Sequence, residues 1–182
     1  MTMRITFELS DRDIQHFKRI SKNAKTLSKG TEEDEVVAGA EKLLADVKAA
    51  ETPDFISERL HSLRSLIDML RDKEWNLGAP ERDRVLAALA YFCDPEDLIP
   101  DATPGFGFLD DAIMVELINR ELKHEIEAYD DFCKFRERES ARSGRDASRA
   151  EWLDSKRKEL YQRMRRRTRR DRSESRFRIR LF

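Results

Sequence analysis

Glycine and proline are scarce in this chain, six and five among 182 residues. An all-β sandwich or barrel needs many tight turns, so that class is set aside. Cysteine is scarcer still: Cys93 and Cys133 fit no disulfide framework and no metal-ligand spacing. Two free thiols point to a reducing compartment. No apolar run approaches the roughly 18 residues that a membrane-spanning helix needs. The stretch Met1–Leu9 lacks the apolar centre of a signal peptide, so nothing marks the chain for export. A phosphate-cradling loop is missing too, because Gly105-Phe106-Gly107 has neither the strand-to-helix setting nor the lysine. The expectation is a cytoplasmic protein, at most peripheral to the inner membrane, with no cofactor and no transmembrane segment.

What the chain has is charge. Asp, Glu, Lys and Arg make up 40% of it, against 39% apolar residues, and the net charge of −1 hides a division. Residues 1–140 hold 20 Lys/Arg against 31 Asp/Glu, a balance of −11, whereas residues 141–182 hold 16 against 6, a balance of +10. An acidic body thus carries a basic end, which suits either an interaction arm or a segment that folds back on its own body.

Apolar spacing predicts a mainly α protein. Residues 4–9 alternate with period two and read as a short strand. Ile14, Phe17, Ile20, Ala24 and Leu27 then recur at helical spacing, and Lys29-Gly30 closes that helix. Thr31 is placed to cap a second helix, with Val36, Val37, Ala40, Leu43, Leu44 and Val47 as its stripe. Thr52-Pro53 reads as cap and first residue of a long helix to about Asp72, striped by Ile56, Leu60, Leu63, Ile67 and Leu70. Pro80 opens the next helix, carrying Val85, Leu86, Leu89 and Phe92. A Pro-rich elbow over residues 94–109 leads into the longest helix, Asp110 to about Arg138. Residues 139–147 read as a hinge and Ser148–Glu151 as a capping box. The last helix has a thin stripe of Trp152, Leu153, Leu160, Tyr161 and Met164, and the chain ends on a second alternating segment, Phe177–Leu181. The predicted architecture is a bundle of about four or five helices with a Pro-rich elbow, a short N-terminal strand and a basic C-terminal helix. It divides into a strand and helical pair (1–50), a helical core (51–138) and a basic helical extension (139–182).

The elbow carries a motif. Pro95, Asp97, Leu98, Ile99, Pro100 and Asp101 are followed by Pro104, Gly107, Asp110 and Asp111. This pattern resembles the YkvA-like domain, a small bacterial family of unknown function, over roughly residues 77–120. The resemblance implies a helical fold and supplies no catalytic residues. Many members flank the motif with strongly apolar segments and look membrane-associated, whereas here the flanks are charged. The residues themselves read as structural. Asp94 with Pro95 and Asp97 opens a helical turn, Pro100 ends it, Gly107 permits a tight reversal, and Asp110 or Asp111 caps the long helix. The chemical alternative is a hard-cation site of Asp97, Asp101, Asp110 and Asp111, since carboxylate oxygens suit Mg²⁺ or Ca²⁺.

Other constellations are weaker. Glu58/His61 and Glu121/His124 have the spacing of di-iron bundle ligands, as Asp13/His16 does in part, but they fall off the apolar faces and read as surface neighbours. Cys93 and Cys133 read as small core residues rather than nucleophiles. The order strand, helix, turn, helix over residues 4–50 is that of a ribbon-helix-helix DNA binder, with Arg4 and Thr6 reading bases. Glu8 and Glu32-Glu33-Asp34-Glu35 would repel phosphate there.

The strongest signal for a partner is the run Arg163, Arg165, Arg166, Arg167, Arg169, Arg170 and Arg172, seven arginines in ten residues. Arginine suits phosphate forks, so another protein, nucleic acid, anionic lipid and the chain's own acidic body all fit. Stacking aromatics are limited to Trp152 and Tyr161 before the run. The functional expectation is a non-catalytic interaction or regulatory module with an Arg-rich anion-binding end, capable of self-association. A peripheral membrane role is the alternative, followed by the DNA-binding and metal-enzyme readings.

Overall fold

The computed structural model describes residues 10–12, 15, 19, 32–50, 52–93, 99, 107–142 and 147–174. It is mainly α, as the periodicity predicts, and contains no strand among the described residues. The predicted terminal strands, the stripe Ile14–Leu27 and Thr31 lie outside them.

Helix α1 (Glu33–Ala49) begins with Glu33, Asp34 and Glu35, carboxylates that favour the positive end of the helix dipole. It buries Val36, Val37, Ala40 and Val47. The pattern places Thr52 as cap and Pro53 as first helical residue; the structure shifts this by one. Pro53 holds the cap position of α2 (Asp54–Leu60), and the Thr52 hydroxyl donates back to the Val47 carbonyl at 3.4 Å.

The predicted single helix from Ile56 to Asp72 is two, α2 and α3 (Ser62–Arg71), joined at His61. Serine hydroxyls compete for backbone carbonyls here, Ser57 donating to Asp54 at 3.1 Å and Ser62 to Arg59 at 2.8 Å. The Arg64 N–H reaches only three residues back, to His61 at 3.1 Å. Yet His61 keeps right-handed dihedrals (φ −56°, ψ −29°), so the stripe of Ile56, Leu60, Leu63, Ile67 and Leu70 continues through the joint and stays buried.

Beyond α3 the chain turns on Asp72. One carboxylate oxygen accepts the N–H groups of Glu74 (2.9 Å) and Trp75 (3.0 Å), a side-chain-closed turn. The other accepts the Tyr129 hydroxyl (3.2 Å) and an Arg136 N–H (2.6 Å). Asn76 takes the left-handed conformation (φ 47°) that asparagine tolerates. Trp75 is thereby driven inward and wholly buried. Its ring meets Tyr129 at 5.8 Å and Phe132 at 5.1 Å, and stacks on Tyr161 at 4.8 Å with 12° between planes.

Helix α4 (Ala79–Leu89) has Pro80 in its first turn, as predicted, and runs into a 3-10 turn, Ala90–Cys93. That turn abuts Gly39 of α1, where a Cβ would lie 2.5 Å from the Cys93 sulfur. The predicted helix from Asp110 to Arg138 is also two, α5 (Leu109–Glu121) and α6 (Lys123–Arg142). Leu122 departs from helical dihedrals (φ −93°, ψ 16°). Its N–H still reaches Ile118 at 2.8 Å and its carbonyl still receives Ile126 at 3.0 Å, so once more the buried stripe is continuous. Helix α7 (Ala147–Glu174) has 28 residues, about 42 Å of length. It is already helical at Ala147, which puts the predicted capping box of Ser148 and Glu151 inside the helix.

Helix α3 is the hub. It touches α1, α2, α4, α5 and α6, and its Leu63, Leu66, Ile67 and Met69 are wholly buried. Helix α7 packs along α6 on the outside.

Asp72 makes this fold acid-sensitive. Burial raises its carboxyl pKa, but the Trp75 N–H, Arg136 and Tyr129 outweigh burial and hold it below the usual aspartate value. A lowered folded pKa gives stability that is complete above the unfolded value of about 3.9 and is lost as pH falls through the folded value. Asp72→Asn is therefore expected to cost about 1–3 kcal/mol at neutral pH. The gap from wild type should narrow below about pH 4 in urea unfolding followed from neutral to acid pH. A pH-independent gap would mean that the charge plays no part.

Candidate functional site

Of the elbow motif, Pro95, Asp97, Leu98, Pro100, Asp101 and Pro104 lie outside the described residues, as does Asp94. Ile99, Gly107, Asp110 and Asp111 lie within them, and the capping prediction for Asp110 or Asp111 needs correction. Phe108, next to Gly107, takes the left-handed conformation (φ 63°). Burial of the Phe108 side chain in the core holds this uncommon backbone conformation in place. Phe108 also occupies the cap position of α5, and no side chain caps that helix. Asp110, buried to 3% exposure, instead accepts the N–H of Ile99 at 3.2 Å. Its carboxylate ties the elbow backbone to the start of α5. No group of three or more metal-ligating side chains comes together among the described residues, which exclude Asp97 and Asp101.

The histidine pairs divide in the same way. Glu58 and His61 are exposed, whereas Asp13 and His16 lie outside the described residues. Glu121 and His124 sit on either side of the break at Leu122, and His124 Nε2 instead meets the Asp171 carboxylate at 2.7 Å. Both thiols are held protonated. Burial pushes Cys93 up, with help from Glu35, and burial pushes Cys133 up against Tyr129 and Arg136.

The arginine run is built into the molecule. Helix α7 buries Leu153, Leu160 and Met164. Its Tyr161 hydroxyl accepts the Gly78 N–H at 3.0 Å and donates to the Asn76 carbonyl at 3.3 Å, clamping the helix to the Trp75 turn. Trp152, predicted for the apolar stripe, is 52% exposed instead. Along α6 the two helices form an antiparallel ladder with one rung per turn: His124 with Asp171, Glu127 with Arg167 at 3.0 Å, and Asp131 with Arg163. On the opposite flank Arg165 places two N–H groups on Glu81, each at 3.1 Å, and lies over the Tyr161 ring. Arg84 stands 3.9 Å from Glu81 and pairs closely with Glu125. A charge-alternating chain, Arg165–Glu81–Arg84–Glu125, thus joins α7, α4 and α6. Gly78 leaves it room, since a Cβ there would lie 2.8 Å from a Glu81 oxygen. Arg166 and Arg169 are exposed and form no ion pair among the described residues.

These pairs differ in weight. Glu81 and Glu125 are 3% and 1% exposed, so removing a partner strands a buried charge. The ladder rungs Arg163–Asp131 and Arg167–Glu127 are exposed on both sides, and such pairs contribute about 0–1 kcal/mol. Sequence reasoning singles out the arginines and misses Glu81, Glu127, Asp131 and Asp171. The available signal was register. Glu127 and Asp131 are four apart, as are Arg163 and Arg167, which is the spacing two antiparallel helices need to pair turn by turn.

Arg165→Ala is expected to destabilise the protein by about 1–3 kcal/mol by leaving the buried Glu81 short of a partner. Arg167→Ala is expected to cost less than about 1 kcal/mol. Urea unfolding of both variants tests the ranking, and equal losses would contradict it.

A family described as "Protein of unknown function (DUF1232)" matches residues 84–117, which hold the end of α4, the 3-10 turn, the elbow and most of α5. The chain is also 35% identical over 77 residues to the uncharacterized membrane protein YkvA of Bacillus subtilis (strain 168), a match covering 39% of this chain and 71% of that protein. No solved structure matches. The elbow residues, the helical fold and these two matches agree, and the chain belongs to the YkvA-like family of proteins of unknown function.

Proposed function

We propose that the protein is a non-catalytic interaction module that holds an Arg-rich helix against an anionic membrane surface. The observation that supports it is the placement of α7: a helix of about 42 Å, fixed along its inner face, with Arg166 and Arg169 turned to solvent. Basic residues near an anionic leaflet contribute about 1 kcal/mol each. Two features favour lipid over nucleic acid. Tyr161 is stacked on Trp75 and is spent on the fold, so among the described residues no aromatic platform for bases accompanies the exposed arginines. Trp152, on the same helix, is the exposed aromatic that an interface with lipid accommodates. The Bacillus relative is named as a membrane protein. No helix among the described residues is long and apolar enough to cross a membrane, so contact at the surface is the form of attachment proposed.

Co-sedimentation with phosphatidylcholine vesicles, with and without phosphatidylglycerol, tests this. Binding is expected only with the anionic lipid, and Arg166→Glu/Arg169→Glu should weaken it by at least about tenfold. Retention on RNA or duplex DNA with no vesicle binding would transfer the role to nucleic acid. No binding to either would remove the reading.

A further inference from the structure

We infer that the acidic row on α6 is a built-in competitor for lipid phosphates, holding part of the arginine helix back from the membrane. This rests on the membrane reading above and adds its regulation. Glu127 and Asp131 are carboxylates one helical turn apart, and each faces an arginine of α7, Arg167 and Arg163. A carboxylate and a phosphate offer an arginine the same oxygen geometry, so the row already fills the positions that headgroups would take.

Exchange is open to these two rungs and closed to Arg165. Arg163, Arg167, Glu127 and Asp131 all keep a third or more of their side-chain surface in water, so a rung can open with both charges still solvated. Glu81 is buried and cannot be left alone in the same way. Opening the rungs need not undock the helix, because Leu153, Leu160 and Met164 are buried and Tyr161 stays bonded to Gly78. Arg163 lies three residues from Arg166 and so neighbours it on the helix surface. Released arginines would therefore join Arg166 and Arg169 in one basic edge. Neutralising the row thus widens that edge by Arg163 and Arg167.

The experiment compares wild type, Glu127→Gln/Asp131→Asn and a control, Asp130→Asn/Glu137→Gln, on phosphatidylglycerol-containing vesicles. The control makes the same change of net charge at exposed positions of α6 that carry no rung. The row variant is expected to bind about tenfold more tightly than wild type. The control should gain less than about threefold, the part due to net charge alone. Adding Arg163→Gln/Arg167→Gln to the row variant should return affinity to the wild-type value. Circular dichroism of each variant confirms that its helices are intact. Equal gains in row and control variants, or a gain that survives loss of both arginines, would overturn the competition while leaving membrane binding standing. Wild type that binds with no gain in the row variant would do the same. Absence of binding by every variant would overturn the membrane reading and this proposal together.

Discussion

The turn between α3 and α4 is the point on which the rest of the molecule depends. Asp72 closes it with one oxygen and reaches α6 with the other. Closing the turn points Trp75 inward, and the indole becomes the surface on which Tyr129 and Phe132 of α6 and Tyr161 of α7 converge. A single carboxylate thus decides where a large aromatic goes, and the aromatic decides where two long helices pack. The basic helix is accordingly a structural layer of the protein, since Tyr161 belongs to the same aromatic cluster as the core.

The uneven charge of the chain follows from that placement. A helix carrying seven arginines in ten residues repels itself unless acids stand close by, and α6 and α4 supply them on its two flanks. On the α4 flank the carboxylates are buried: Glu81 and Glu125 alternate with Arg84 and Arg165, so neither acid can be left without a partner cheaply. The α6 flank is wet and its pairs are weak. One flank therefore fixes the helix while the other leaves its arginines exchangeable. This division of labour is what would let one element serve both the fold and the proposed membrane surface.

Much of this was legible in the residues, and the exceptions have physical causes. The apolar stripes of α1 to α6 are where periodicity puts them, because burial of a face depends on spacing alone. The breaks at His61 and Leu122 were not legible, since neither shifts the stripe: one keeps helical dihedrals and the other is bridged by flanking backbone bonds. Caps were misplaced wherever a side chain found a better partner than its own helix. Thr52 turned back to Val47, and Asp110 turned across to Ile99. Those choices depend on what packs nearby, which a local pattern does not contain. The ladder is the intermediate case: its spacing is written in the sequence, but only knowledge that α6 and α7 lie antiparallel makes the spacing mean anything.

The family model covers a different part of the chain from the one that carries the proposed role. Residues 84–117 include Asp110 with its bond to Ile99, and Phe108 in its left-handed turn, which together set the start of α5. The arginines, Glu127, Asp131 and Trp152 lie beyond that span. Arg84 is the link between the two. It sits at the first matched residue, and from there it holds Glu125 of α6 and stands against Glu81, the carboxylate that receives Arg165. Arg84 thus gives the buried Glu81 and Glu125 a shared partner, and Arg165 of α7 completes the charge alternation. The matched segment and the α6–α7 face therefore meet at one side chain, so a change at Arg84 is felt by both.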